Sequence, residues 1–523
     1  MVYARRKAFT ICFRGGDTDE PQATLNVYPV FDLGDHDKTC QGSTARPYMP
    51  EDSTLFGARR GQTRMLVANG KSILLLGLGK PDALSEIACE EIGAALQSAI
   101  AGQGCRNIVI NPVSALPKNL KSAKTLSNET IAAHIASGVL LKGYSFTKYK
   151  TAPGGQDNKP STIAFTGINP ESAEAAFAPL KAAADGVYLA RDLANEPPNV
   201  AYPKAVAEIV KETFGTGSGV TVRVFGPSSL EEMNAGGILA VGQGSHRPPC
   251  MVVMEYDGTQ GKNKRPDMAL VGKGVTFDTG GISLKPGANM QDMKYDMSGA
   301  ADVIGTMLTL SQRRANAHII GIVGLAENMP DGNAYRPGDV IRLMSGKTVE
   351  ITNTDAEGRL VLSDCLTYVE KTYKPKAIID LATLTGACIG ALGHTFAAVL
   401  TRDEKLEKRI VTTGRAVDEL CYPLPLHEVF TRAVQGSKIA DLNNSVAGPG
   451  TSTAGAFLEQ AILNKTPWAH LDIAGMAWGA SGKLRPDDGS ASGFGVRLLD
   501  RLIRNHYERN PAPTPAGQAP RPK

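Results

Sequence analysis

From about residue 200 onward the chain alternates between short apolar runs and longer segments of helical periodicity, and this pattern narrows its possible folds more than any other feature. Strand-like "MALVGK" is followed by helix-like "SGAADVIGTMLTLSQRR", strand-like "HIIGIVGLAE" and "KTVEIT", and helix-like "RLVLSDCLTYVEK". Strand-like "KAIIDLATL" and "AHLDIAG" complete the series. Such an order predicts a mostly parallel central sheet flanked by helices, an α/β fold. Ligands in such sheets bind beyond the carboxyl ends of the strands, so polar residues just after each apolar run are the candidates for chemistry.

Upstream, "TRMLVANG", "KSILLLGLG" and "ALSEIACEEIGAALQSAIAG" read as a smaller α/β domain, with "KYKTAPGGQDNKPST" as an exposed loop within it. The Ala-rich stretch "SAEAAFAPLKAAADGVYLARDLANEPPN" reads as a long helix stopped by Pro197 and Pro198. The expected organisation is an N-terminal α/β domain over 1–170, a connecting helix over 171–198, a catalytic domain over 199–507 and a disordered Pro-rich tail over 508–523. No internal repeat is visible.

Polar residues do cluster where the topology puts binding sites. "VGKGVTFDTGG" carries Lys273 and Asp278; "SLKPGANMQDMKYDMSGAA" carries Lys285 and Asp296; "NTDAEGRL", at a strand-to-helix junction, carries Asp355, Glu357 and Arg359. Four carboxylates in one cleft repel one another unless cations compensate them, and two divalent metals would do so. With no histidine in these motifs, the donor set is rich in oxygen, which suits Mn²⁺ or Mg²⁺ and can hold Zn²⁺. A pair of ions about 3.5 to 4 Å apart can clamp a water and a carbonyl or phosphoryl oxygen together. Taken singly, each residue has a plainer explanation: an Asp after a strand caps a helix or forms a turn, a Lys is solvated, and Arg359 pairs with Glu357 on one helical turn. Their joint occurrence at successive strand ends favours a site.

Bulk properties exclude some functions. A net charge of +4 over 523 residues gives no basic stripe for nucleic acid, which is kept only as a secondary partner. The 8 cysteines lie singly, without CxxC pairs, and Cys89, Cys365 and Cys388 sit in apolar surroundings, as expected of small buried hydrophobes in a reducing compartment. The N-terminus "MVYARRKAFTICFRGG" is basic but short of a signal pattern and reads as a first strand with a basic flank. "AIIDLATLTGACIGALGHTFAAVL" is broken by Asp380 and His394, so no membrane span is expected and the cytoplasm is the default.

"NTDAEGRL" resembles the signature of the leucine aminopeptidase family of dinuclear metallopeptidases, and "VGKGVTFDTGGISLKPGANMQDMKYDMSGAA" resembles its other metal-binding block. "NEPPN", "IDLATLTGA" and "AHLDIAG" follow in the family's order, so the match spans about residue 190 to Arg504. The resemblance implies that Asp278 and Glu357 bridge two divalent ions, Lys273 and Asp296 complete the tighter site, and Asp355 completes the more exchangeable one. It also implies that Lys285 stabilises the oxyanion and that Arg359 holds a bicarbonate acting as general base toward the metal-activated water. The ions are expected to be Mn²⁺ or Zn²⁺, with Co²⁺ or Mg²⁺ as alternatives. Lys273 can ligate only as a neutral amine, which an adjacent dication favours.

The implied activity is release of N-terminal Leu and other apolar residues from peptides with a free amino terminus, by a cytoplasmic homohexamer built as a dimer of trimers. Exopeptidase specificity follows from coordination, because only a terminal residue offers an amine to the metal centre. The implied substrate-binding residues are Met293, Asn353, Thr383, Leu384, Gly386, Ala474 and Ala477, the pocket members being small or apolar. Ala477 stands where some relatives carry a bulkier residue, and Ser298 where many carry Gly. "AGPGTSTAGAF" lacks a phosphate-loop pattern and reads as a mobile loop near the cleft. Two other functions compete, DNA binding and phosphoester hydrolysis. The apolar pocket and the single uncommitted lysine, Lys285, argue against the second.

Overall fold

The computed structural model describes residues 10–15, 25–32, 45–49, 55–111, 126–151, 162–480 and 482–508. These form two compact units, one made of the described residues up to Tyr188 with those of 479–492, the other of 189–478 with 493–508. The helix Pro170–Asn195 runs from the first into the second and ends ahead of Pro197 and Pro198. The Pro-rich tail beyond Glu508 and most of "KYKTAPGGQDNKPST" lie outside the described residues.

The first unit is built on a six-stranded sheet. In chain order its strands are β1 (Thr10–Phe13), β2 (Leu25–Phe31), β3 (Thr63–Ala68), β4 (Lys71–Gly79), β5 (Asn107–Ile110) and β6 (Thr162–Phe165), arranged β1-β6-β5-β2-β4-β3. All neighbours are parallel except the β3–β4 hairpin. Helices Glu86–Ile100 and Asn128–Lys142 belong to this unit, each opened by a serine whose hydroxyl accepts a backbone N–H, Ser85 from Ala88 and Ser127 from Thr130.

The second unit carries an eight-stranded sheet. Its strands are β7 (Val220–Phe225), β8 (Cys250–Asp257), β9 (Met268–Asp278), β10 (His318–Asn328), β13 (Ile378–Ala382), β14 (Ala397–Thr401), β15 (Cys421–Pro423) and β17 (Trp468–Asp472). Their order is β15-β14-β17-β13-β9-β10-β8-β7. The four central strands β17, β13, β9 and β10 are mutually parallel. They are buried along almost their whole length, as their Val-, Ile- and Leu-rich runs require. Val271, Ile320, Ile322, Ile378 and Ala382 share one core with Leu360, Val361, Cys365 and Leu366 of the helix Gly358–Tyr373 and Phe457 of the helix Gly450–Glu459. Each fully buried aliphatic of this kind contributes about 1.5–3 kcal/mol relative to exposure.

Two features differ from the sequence reading. "KTVEI" does form a strand, β12 (Thr348–Glu350), but in a separate three-stranded sheet between β11 (Val340–Arg342) and β16 (Leu442–Asn443). Only three residues long, it pairs with β11 along its whole length and with β16 through Val349 and Glu350, and it has no place in the main sheet. "AGPGTSTAGAF" is not a mobile loop: from Gly450 it is the buried start of the helix Gly450–Glu459, with Thr453 donating its backbone N–H to the Pro449 carbonyl.

Cys89, Cys365 and Cys388 are buried and free. Among the described residues no helix is long and apolar enough to cross a membrane.

Candidate metal centre

The candidate residues converge where β9 runs past the carboxyl end of β13. Lys273 and Asp278 lie five positions apart on β9, a spacing that in a regular strand would send them to opposite faces. A bulge corrects this. Val275 faces Ala326 and Phe277 faces the very next residue, Glu327, so Thr276 is one residue in excess and the alternation is reset. Lys273 then meets the segment that follows β12, where its Nζ lies 2.8 Å from Glu357 Oε1.

Room for that lysine comes from Gly358. A Cβ there would stand 2.5 Å from Lys273 Cε and 2.8 Å from Nζ. Gly299 plays a similar part for the helix Ser298–Gln312, whose first turn approaches β13 so closely that a Cβ would lie 2.1 Å from the Leu381 carbonyl oxygen. This close approach seats Asp296, at the end of the preceding 3₁₀ segment Met290–Met297, next to Lys273 and Thr383.

The cluster has a buried side and a half-open side. On the buried side Lys273 Nζ donates to Asp296 Oδ1 at 2.8 Å and to the Thr383 carbonyl at 2.9 Å, while Thr383 Oγ1 also donates to Asp296 Oδ1 at 2.8 Å. On the other side Lys285 Nζ is 2.8 Å from Asp278 Oδ2 and 2.5 Å from Asp355 Oδ1, and the Lys285 and Asp355 side chains remain 23% and 33% exposed. One carboxylate oxygen from each of Asp278, Asp355 and Glu357 lies within 4.8 Å of the other two, a grouping that could hold a metal ion.

Electrostatics favour additional positive charge. Burial pushes the carboxyls of Asp296, Asp355 and Glu357 above the ordinary range, and neighbouring carboxylates push the same way against the two lysines. Burial by itself would lower the Lys273 and Lys285 ammonium groups, yet the surrounding carboxylates outweigh it and hold both above the usual lysine range. The neutral Lys273 amine that coordination requires therefore needs a competing cation beside it. Asp296 Oδ2 is buried without a hydrogen-bond partner. An orphaned carboxylate oxygen, three clustered carboxylates and an amine that can be neutralised together fit divalent metal ions.

Arg359 does not pair with Glu357. It stands in the first turn of the helix Gly358–Tyr373, buried, with Nη1 donating to the Asn444 carbonyl at 2.8 Å and Nε buried without a partner. Burial lowers its guanidinium to about 10, against the pull of Glu357 and Asp472. A cation with a spare donor at a helix N-terminus can take a small anion.

The residues expected to bind substrate fall on three neighbouring segments. Met293 lies in Met290–Met297; Thr383, Leu384 and Gly386 follow β13; Ala474 and Ala477 form the short helix after β17. Tyr295 stacks on Trp478 at 5.5 Å, which joins the first segment to the third. Asn353 accepts the Asp355 backbone N–H through Oδ1 at 2.9 Å, bracing the loop that carries Asp355 and Glu357.

Four supporting residues lie outside the set of candidates read from the sequence. Asn328 Nδ2 donates to Asp278 Oδ1 at 2.8 Å and to the Thr354 carbonyl at 3.1 Å, tying the two ligand segments together. Asn444 Oδ1 accepts the Thr352 N–H at 2.8 Å, and its Nδ2 donates to the Asn353 carbonyl at 2.6 Å. Asp472 accepts from Leu384 N, Thr385 Oγ1 and Ala474 N, fixing the turn after β13. Asp380 accepts from Trp468 Nε1 at 2.7 Å and pairs with His470 Nδ1 at 2.6 Å.

Fold and site together define a metallohydrolase of the α/β class. Residues 188–500 match the model of the cytosol aminopeptidase family, catalytic domain, and residues 52–153 match that of its N-terminal domain. A probable cytosol aminopeptidase of Chelativorans sp. (strain BNC1) is 45% identical over 439 residues, 83% of this chain and 85% of the relative. One from Brucella melitensis biotype 1 is 43% identical over 444 residues, covering 84% and 88%. Among solved structures, a mutant tomato leucine aminopeptidase superposes with a TM-score of 0.82 at 30% identity, over 95% of this chain and 97% of its own. The bottromycin maturation enzyme BotP in complex with Mn gives 0.78 at 32% identity, over 92% and 99%. The chain belongs to the cytosol aminopeptidase family and is a metal-dependent aminopeptidase acting on peptides.

Proposed function

We propose that the protein is a leucyl aminopeptidase that removes N-terminal Leu and other apolar residues. The observation that carries this reading is the gathering of Asp278, Asp296, Asp355 and Glu357 around Lys273 and Lys285, beside the turn that carries Leu384 and Gly386 and the small Ala474–Ala477 helix. Lys273, Asp278, Asp296, Asp355 and Glu357 would hold two divalent ions, which when bound supply Lewis-acid polarisation and an activated water.

The remaining roles belong to the chain itself. Lys285, kept as an ammonium by the adjoining carboxylates, stabilises the negative charge that develops on the scissile carbonyl oxygen. Arg359 seats a bicarbonate, the general base of this reading, through the guanidinium edge that includes the unpartnered Nε. Met293, Gly386, Ala474 and Ala477 leave space for a leucine-sized side chain, and Asn353 and Leu384 flank the substrate backbone. Discrimination is broad, since one methylene is worth only about 1–3 kcal/mol.

Mn²⁺ is supported by the Mn named with BotP, with Zn²⁺, Co²⁺ and Mg²⁺ as alternatives. The cytoplasm is supported by the relatives' name, and a homohexamer by family resemblance.

The test is hydrolysis of leucine amide by metal-stripped protein with Mn²⁺, Zn²⁺ or Co²⁺ restored, beside N-acetyl-leucine amide. Metal-dependent cleavage confined to the free amine is expected. Equal cleavage of the acetylated compound would refute the exopeptidase reading.

A further inference from the structure

Thr383 was expected in the wall of the leucine pocket, yet both of its polar groups are turned to the buried side of the metal cluster. Its carbonyl accepts from Lys273 Nζ at 2.9 Å, and its hydroxyl donates to Asp296 Oδ1 at 2.8 Å. A threonine hydroxyl has one O–H to give, and here it goes to a candidate ligand. From these contacts we infer that Thr383 is a positioning residue for the tighter metal site, aiming Lys273 and Asp296. This inference rests on the two-metal reading above.

Asp296 can turn about its carboxyl bond, so which oxygen faces a cation depends on what holds the other. Lys273 and Thr383 both engage Oδ1, leaving buried Oδ2 as the atom without a partner. A neutral lysine amine likewise has two N–H bonds and one lone pair; an acceptor fixed in the backbone selects where the lone pair points. The Thr383 carbonyl is such an acceptor.

Its aim is not adjustable. The next peptide N–H, that of Leu384, donates to Asp472 Oδ1 at 3.2 Å; Thr385 Oγ1 donates to Asp472 Oδ2 at 2.7 Å and accepts Cys388 N at 3.1 Å. The end of β13 is thus pinned by β17 on one side and by the helix Gly386–Leu392 on the other. Groups that orient metal ligands in this way are commonly worth 10–100-fold in metal affinity.

Thr383→Val keeps the side-chain shape and removes the hydroxyl, whereas Thr383→Ser keeps the hydroxyl and removes the methyl. Zn²⁺ affinity would be measured by competition with a chromophoric chelator, with Asp296→Asn as the control that loses the tighter ion. The expected result is Zn²⁺ binding weakened about 10–100-fold in Thr383→Val and recovered in Thr383→Ser. Normal Zn²⁺ affinity in Thr383→Val would overturn the inference. Should the Val variant fail to fold, Thr383→Ala decides: wild-type Zn²⁺ affinity there overturns it, and weakened affinity that Thr383→Ser does not share supports it. Wild-type protein that binds no Zn²⁺ would overturn the two-metal reading itself, an outcome distinct from failure of the Thr383 role alone.

Discussion

Gly358→Ala should damage the metal centre although it touches no ligand by name. In most helices the exchange gains about 0.5–1 kcal/mol, because alanine gives up less conformational freedom than glycine. Here the added Cβ would sit 2.5 Å from Lys273 Cε, 2.6 Å from Cδ and 2.8 Å from Nζ, where ordinary contact is about 3.5–4.0 Å. The lysine must retreat by about 1 Å. Elsewhere a lysine tip would swing aside, but this one is 2% exposed and held by Asp296, Glu357 and Thr383. Overpacking of this kind costs about 1–3 kcal/mol, enough to cancel the helix gain, and a misplacement of about 1 Å in a reacting site costs about 10²-fold in rate. The assay is kcat for leucine amide with Zn²⁺ affinity measured in parallel, on protein whose circular dichroism matches wild type. A variant within twofold of wild type in both would refute the argument that Gly358 makes space for Lys273.

Other predictions follow from single contacts. Asn328→Leu removes the donors to Asp278 and Thr354 and should weaken metal binding about 10–100-fold, read by equilibrium dialysis, while thermal unfolding remains cooperative. Lys285→Met should lower kcat about 10²–10³-fold while both ions stay bound; loss of metal instead would assign Lys285 a structural role. His470 is fully buried, and although burial lowers its imidazole, Asp380 outweighs that and the net shift is upward from 6.5. The folded state then keeps a proton that the unfolded chain releases, so this contribution to stability is complete below pH 6.5 and is lost as the pH rises through the folded value. Asp380→Asn should flatten that decline in urea denaturation above pH 6.5, whereas an unchanged slope would show that the pair is not its source.

Legibility followed the range of the interactions. The acids and lysines stood out because polar residues right after apolar runs are conspicuous, and their chemistry, four carboxylates needing cations, could be argued without coordinates. The central strands were equally plain, being apolar runs of near-continuous burial. What stayed hidden depends on register or on distant partners. The extra residue at Thr276 decides whether Lys273 and Asp278 share a face, and no periodicity announces a bulge. Arg359 reaches the Asn444 backbone carbonyl across 85 positions, and the Asn328 side chain reaches Asp278 across 50, and both asparagines read as ordinary loop or strand-end residues. Gly358, within the conspicuous octapeptide, passes for a helix-start residue until the lysine beside it is seen. Three-residue β12 alternates like any strand, so its place in a separate sheet could not be read from "KTVEI".

The proposed dependence of cleavage on two divalent ions held by Lys273, Asp278, Asp296, Asp355 and Glu357 is tested most directly by counting bound metal per chain in dialysed protein while following leucine amide hydrolysis, in wild type and in Glu357→Ala. Activity that rises with the second equivalent of Mn²⁺ or Zn²⁺ in wild type, and fails in the variant together with the loss of bound metal, is the predicted result. Full activity in metal-free protein, or undiminished metal content and turnover in Glu357→Ala, would contradict it.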